Sequence, residues 1–166
     1  MGRYSGLTIT GRHAKPTTII TCYRVPENSI SNSGPLTSFR RQAAHIATTS
    51  NSTSNPNPRQ QCLDDLATLI SELIHNNHDI ILSKDANESL QQGNSLASFL
   101  QQTGQQNIDL PSIPSTCRGH KTIDYIFATP RVLQHISSKG AMEFDTVYES
   151  DHRPLYIDIN QTYLAT

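Results

Sequence analysis

Short β-branched runs alternate along this chain with longer segments whose apolar residues return every three or four positions. GLTIT and TTIITCYRV are separated by GRHAKP, where a glycine and a proline mark a turn, and the pattern predicts an antiparallel hairpin over about residues 6 to 25. Tyr23 and Arg24 then end its second strand. Leu36, Phe39, Ala43 and Ile46 recur at helical spacing, and the tract TTSNSTSNPNP that follows holds no core-forming side chain, so it predicts a flexible surface loop at about 47 to 58. The clearest helix spans about residues 58 to 76: Leu63, Leu66, Leu69, Ile70, Leu73 and Ile74 form one apolar stripe, Asn57 caps, Pro58 takes the first position and Gln60 is placed to reach back to the cap.

DIIL reads as a strand buried on both faces, and it delivers Asp85, Asn87 and Glu88 in SKDANE to its C-terminal end. NSLASFLQQTG predicts a helix closed by Gly104. In TIDYIFA, Ile123, Tyr125 and Phe127 alternate with Asp124, Ile126 and Ala128; in PLYIDI, Leu155, Ile157 and Ile159 alternate with Tyr156 and Asp158. Each is a strand with at least one buried face. Strands alternating with helices predict an α/β fold, with chemistry at the strand ends.

The length of 166 residues suits one domain or part of a larger one, and no repeat divides it. Thirteen basic residues against fourteen acidic ones give a formal net charge of −1, so phosphate affinity has to come from a local patch or a metal. Cys22, Cys62 and Cys117 are odd in number, widely spaced and without a C-x-x-C, which predicts reduced thiols and an intracellular chain, nuclear or cytoplasmic. No apolar run approaches a membrane span, and the N-terminal residues lack the hydrophobic region of a secretion signal.

ESDHRPLYIDI, residues 149 to 159, sets Ser150, Asp151, His152 and Arg153 at the mouth of a strand. A serine hydrolase would need its nucleophile on a G-x-S-x-G elbow after a strand; the nearest match, GNSLA, follows SLQQ instead. No G-x-x-x-x-G-K-[ST] loop occurs, and His75 and His78 stand at a helix end, where they read as solvated residues that favour the dipole. There remain acidic positions that each lie at a strand end: Asp85 with Asn87, Asp124, and Asp151 with His152. Hydrolysis of a phosphodiester needs an activated water, a cation and a group holding the phosphate in line. Carboxylates, an amide donor and a His oriented by an Asp supply most of that set.

IILSKDANE, TIDYIF and SDHRPLYIDI, in that order and with TCYRVPE upstream, resemble the endonuclease/exonuclease/phosphatase superfamily, closest in look to the endonuclease domains of non-LTR retrotransposons. The resemblance runs over about residues 7 to 160 and matches the C-terminal portion of the family's domain. It implies a DNase I-like two-sheet α/β sandwich flanked by helices in four layers, truncated at its N-terminus, so that residues 1 to 166 form a single partial domain.

By that resemblance Asp85 aligns or activates the attacking water and lies with Asp151 beside Mg2+ or Mn2+. Asn87 and Tyr23 contact the scissile phosphate, Asp124 orients His152, and Arg118 and Lys121 in RGHK touch backbone phosphates. The family's opening strand and its Q-E motif, whose Glu holds the metal, do not precede the hairpin, and Lys84 stands where a Gly is usual, with bulk and charge able to pair with Asp85 or fill metal space. Three readings follow. One is a metal-dependent DNA endonuclease of retroelement type, with DNA and a reverse transcriptase region or another chain as partners. The second is a superfamily phosphatase or phosphodiesterase acting on inositol phosphates or lipids, and the third a non-catalytic remnant of a mobile element.

Overall fold

A computed structural model of the chain describes residues 3–11, 15–26, 37–50, 56–91, 94–110 and 113–164. The hairpin forms from β1 (Tyr4–Ile9) and β2 (Thr17–Tyr23), which pair antiparallel from Tyr4 opposite Cys22 to Ile9 opposite Thr17. Two helices follow, α1 (Ser38–Ser50) and α2 (Pro58–His75), and return the chain to β3 (Asp79–Asp85), which lies parallel to β2. A parallel neighbour requires such a crossover, and the two helices provide it. After α3 (Asn94–Thr103) and the two-residue β4 (Gln106–Asn107), β5 (Asp124–Ala128) runs antiparallel to β3 and closes a five-stranded sheet of order β1-β2-β3-β5-β4. The short α4 (Pro130–Leu133) leads to β6 (Ile136–Ala141) and β7 (Leu155–Ile159), an antiparallel pair that forms a second sheet, and a 3-10 turn (Gln161–Leu164) follows.

Strand alternation sorts the core into two layers. Ile20, Cys22, Ile80, Leu82, Tyr125 and Phe127 face α2 and α3 and pack on Leu63, Leu66, Ile70, Leu96 and Phe99. Ile81, Ile126 and Ala128 point the other way, toward Val132, Tyr163 and the partly buried Leu155, Ile157 and Ile159. DIIL is buried on both faces as its composition predicts, and so is DYIFA, for which one face was the minimum expected. Helices thus cover one face of the large sheet and the β6–β7 pair the other, the mixed α/β layering of a sandwich.

Helix α2 starts as its sequence dictates: the Asn57 side chain accepts from the backbone N–H groups of Arg59 and Gln60, with Pro58 in the first turn. Gln60 does not reach back to the cap; its amide instead donates to Asp64 at 2.8 Å, one helical turn on. Ile74 ends the predicted stripe but is exposed.

Two further expectations are corrected. The first residues of the polar tract belong to α1, which runs to Ser50, with the Thr48 and Thr49 hydroxyls donating to the carbonyls of Ala44 and His45 at 2.9 Å each. Residues 51–55 of that tract, and Leu36 of the α1 stripe, lie outside the described residues. His78 is not simply solvated at the end of α2: its Nδ1 lies 2.8 Å from the Thr18 hydroxyl and ties the end of that helix to β2. Among the described residues no helix is long and apolar enough to cross a membrane.

Candidate active site

Register brings the chemistry together. Tyr23 on β2 lies opposite Asp85 on β3, and Asp85 opposite Asp124 on β5, so one transverse row of the sheet carries all three at its edge. Paired residues point to the same face. The next row, Cys22, Lys84 and Tyr125, therefore points to the opposite, helix-covered face. That corrects the expectation for Lys84: it neither pairs with Asp85 nor fills metal space, because its side chain runs into the core and its Nζ lies 3.2 Å from Cys22 Sγ.

His152 reaches this row from a loop stitched to the segment before β5. It forms an isolated antiparallel bridge with Cys117; Arg118 N donates to Asp151 O at 2.9 Å and Arg153 N to Thr116 O at 2.8 Å. Thr116, itself buried, accepts through its hydroxyl from the backbone N–H groups of Ile123 and Asp124, 3.0 Å each, and so fixes where β5 begins. The His152 Nδ1 then lies 3.0 and 2.9 Å from the two Asp124 carboxylate oxygens, which leaves Nε2 toward solvent. Ser150 is a turn residue, its hydroxyl accepting from the His152 N–H at 3.0 Å.

The electrostatics follow from crowding. Burial and then the Asp124 charge push the Asp85 carboxyl above its usual range. Burial alone would lower the His152 imidazole, but the bond to Asp124, with the Asp85 and Asp151 charges behind it, lifts it above its ordinary value. Burial and Asp85 likewise raise the Tyr23 phenol. Asp85, Asp124 and His152 each offer one ligand atom, all within 4.8 Å of one another, a donor group able to hold a metal ion.

Asn87 sits beside them at φ 45°, in the left-handed region that Asn tolerates better than most residues. Its N–H donates to Asp85 Oδ1 at 3.0 Å and its Nδ2 to the Arg24 carbonyl at 2.8 Å. Beneath it lies a network that reading the sequence missed: Glu88 pairs with Arg24 and Arg59, accepts from Ser95 Oγ and Leu96 N, and Arg59 also donates to the Asn87 carbonyl at 3.2 Å. Although burial opposes it, the Ser95 and Arg24 bonds hold the Glu88 carboxyl below its usual range. One signal was present: Arg59 lies three and four positions before Cys62 and Leu63, on the apolar stripe of α2, where a charge must find a partner.

The remaining expected residues stand further out. The Asp151 carboxylate is 80% exposed and 4.0 Å from His152 Nε2, outside the tight trio. Arg118 is engaged by Asp145 and by the Ser150 carbonyl at 3.3 Å, and its guanidinium lies over Phe144. Lys121 is exposed on the wall of a cavity of about 470 Å³ that Asp124 and Tyr125 also line.

No family model and no curated protein sequence matches the chain. Solved structures do. The endonuclease domain of TRAS1, a telomere-specific non-LTR retrotransposon, is 16% identical with a TM-score of 0.61 over 95% of this chain and 63% of its own. The Xenopus laevis APE2 catalytic domain is 15% identical, TM-score 0.54, over 95% and 54%. The human Nocturnin catalytic domain is 14% identical, TM-score 0.53, over 93% and 53%. The fold is therefore DNase I-like, as the sequence resemblance implied, and the chain spans between 53% and 63% of the length of these structures.

Proposed function

We propose that this chain is a metal-dependent phosphodiester hydrolase, and that its substrate is DNA cut in the manner of a retroelement endonuclease. The observation that carries the reading is the single row of Tyr23, Asp85 and Asp124 with His152 held against it, an arrangement with no role in packing the core. The donor set fits a hard divalent cation of the Mg2+ or Mn2+ kind. Asp85 and Asp124 crowd like charges into a half-buried site, burial and then that repulsion lift Asp85, and a cation offsets both.

Asp85 and Asp124 are the residues that would hold the ion, with Asp151 at the rim. When bound, such an ion neutralises phosphate charge and lowers the pKa of a coordinated water. The chain's own groups do the rest. Asp85 aligns the attacking water and accepts its proton. His152, its Nδ1 donating to Asp124, presents Nε2–H to a phosphate oxygen and meets the charge that grows there. Asn87 and Tyr23 hold the phosphate in line, and Lys121, with Arg118 further out, meets neighbouring backbone phosphates. No covalent enzyme intermediate is involved. The likeness to a retrotransposon endonuclease domain supports DNA over inositol phosphates or lipids, and with it an intracellular, retroelement setting in which a reverse transcriptase region is the partner.

Nicking of supercoiled plasmid by the purified chain tests this. Relaxed circles should form with Mg2+ and vanish with EDTA, and Asp85→Asn or His152→Ala should abolish them while the circular dichroism spectrum is unchanged. Full nicking by either variant would overturn the assignment.

A further inference from the structure

One row below the candidate site, on the helix-covered face, the core holds three groups that apolar packing does not call for. Cys22 on β2 and Cys62 on α2 face each other with Sγ atoms 3.8 Å apart, and Lys84 on β3 places Nζ 3.2 Å from Cys22 Sγ. Lys84 is 1% exposed, and Cys22 is its only hydrogen-bond partner among the described residues. A lysine buried that completely needs an anion beside it, and here sulfur, not a carboxylate, stands in that place. We propose that Cys22 is a peroxide-reactive thiolate and Cys62 its resolving thiol, so that oxidation closes an intrachain disulfide between β2 and α2.

The chemistry balances with a hydroperoxide as oxidant. The Cys22 thiolate attacks one peroxide oxygen; the S–O bond forms as the O–O bond breaks, hydroxide leaves and Cys22 becomes a sulfenic acid. Cys62 sulfur then attacks Cys22 sulfur, the S–S bond forms, the S–O bond breaks, and the Cys62 proton leaves with that oxygen as water. Two sulfurs each lose one electron, and the peroxide gains both.

Electrostatics favour this order. The Cys62 hydrogen bond, opposed by burial and aided by Lys84, brings the Cys22 thiol down to about 6, while the same bond and burial push Cys62 up. Once Cys22 is a sulfenic acid its charge is gone, and the lysine is left to favour the thiolate of Cys62. The sulfurs need to approach by less than the width of an atom to reach bonding distance. Cys117 is an internal control: it is buried, its Sγ donates to the Lys121 carbonyl at 3.4 Å, and among the described residues no cation bonds it.

The proposal stands apart from the hydrolase reading, because its test needs no substrate. The full chain is treated with hydrogen peroxide, remaining thiols are alkylated, and tryptic peptides are weighed. A peptide pair linked through Cys22 and Cys62, with Cys117 still alkylated and dithiothreitol reversing the link, is expected. Cys62→Ser should stop the reaction at a Cys22 sulfenic acid that dimedone traps. Lys84→Met should slow the loss of the Cys22 thiol by at least about tenfold and leave Cys117 unchanged; Lys84→Gln repeats the comparison should that variant fail to fold. Cys117 reacting as fast as Cys22 in the folded wild-type chain, or no Cys22–Cys62 link, would overturn it.

Discussion

Asn87 carries two burdens that substitution can separate. Its backbone stands at φ 45° and its side chain bonds the Arg24 carbonyl. Asn87→Gly keeps the backbone at little cost, whereas Asn87→Ala adds left-handed strain to the lost bond, together about 2 kcal/mol. Urea unfolding should place Ala clearly below Gly in stability, while both abolish nicking if the amide holds phosphate. At the same scale, Asp124→Asn removes the group that chiefly lifts His152. Proton NMR titration of the His152 ring should show its pKa falling toward the ordinary histidine value; an unchanged titration would mean that Asp124 does not govern it. At this scale the sequence revealed residue types and strand-end positions, but not that Arg118 faces Asp145 or that Lys84 turns inward.

Among the elements, the beginning of β3 shows how distant segments are tied to one carboxylate. Asp79 accepts from Lys15 at 3.0 Å, from Arg131 at 2.6 Å and from the Tyr163 hydroxyl at 3.0 Å, joining the hairpin, α4 and the 3-10 turn. Burial works against the charge, yet the Arg131, Lys15 and Tyr163 bonds hold the carboxyl below its usual range. A depressed folded value means that the unfolded chain binds the proton first as pH falls. The contribution is complete above the ordinary aspartate pKa and is lost as pH falls through the lowered native value. Asp79→Asn should cost about 3 kcal/mol at neutral pH, measured by denaturant unfolding, and the difference from wild type should shrink in acid. The longer elements were legible because periodicity is local, but β6, whose ISSKGA carries no apolar alternation, was not, nor were the end of α1 and the partner of Gln60.

For the whole molecule, the cation is the decisive ligand. If Asp85 and Asp124 hold it, Mg2+ binds the folded chain and not the unfolded one, and mass action raises Tm with concentration. A thermal shift should appear for wild type with millimolar Mg2+ and disappear in Asp85→Asn, since one of the two carboxylate charges that hold the ion is gone. Equal shifts in both would place the ion elsewhere.

Local rules act within a few residues, so β1, β2, β3, β5 and β7, the helices α1, α2 and α3, the cap at Asn57, the stop at Gly104 and the placing of Asp85 and Asp124 at strand ends, with His152 just before β7, were determined by the sequence alone, whereas β4, α4, β6 and the 3-10 turn were not read from it. The motifs at those ends also carried the fold type. What only tertiary structure decided is lateral: that Tyr23, Asp85 and Asp124 share one row, that His152 crosses to Asp124, and that Cys22, Cys62 and Lys84 meet beneath them. Those contacts depend on strand register and on helix docking over separations of many residues. Alternation states that a side chain faces one side, but which neighbour it finds there is fixed only when the sheet pairs and the core closes.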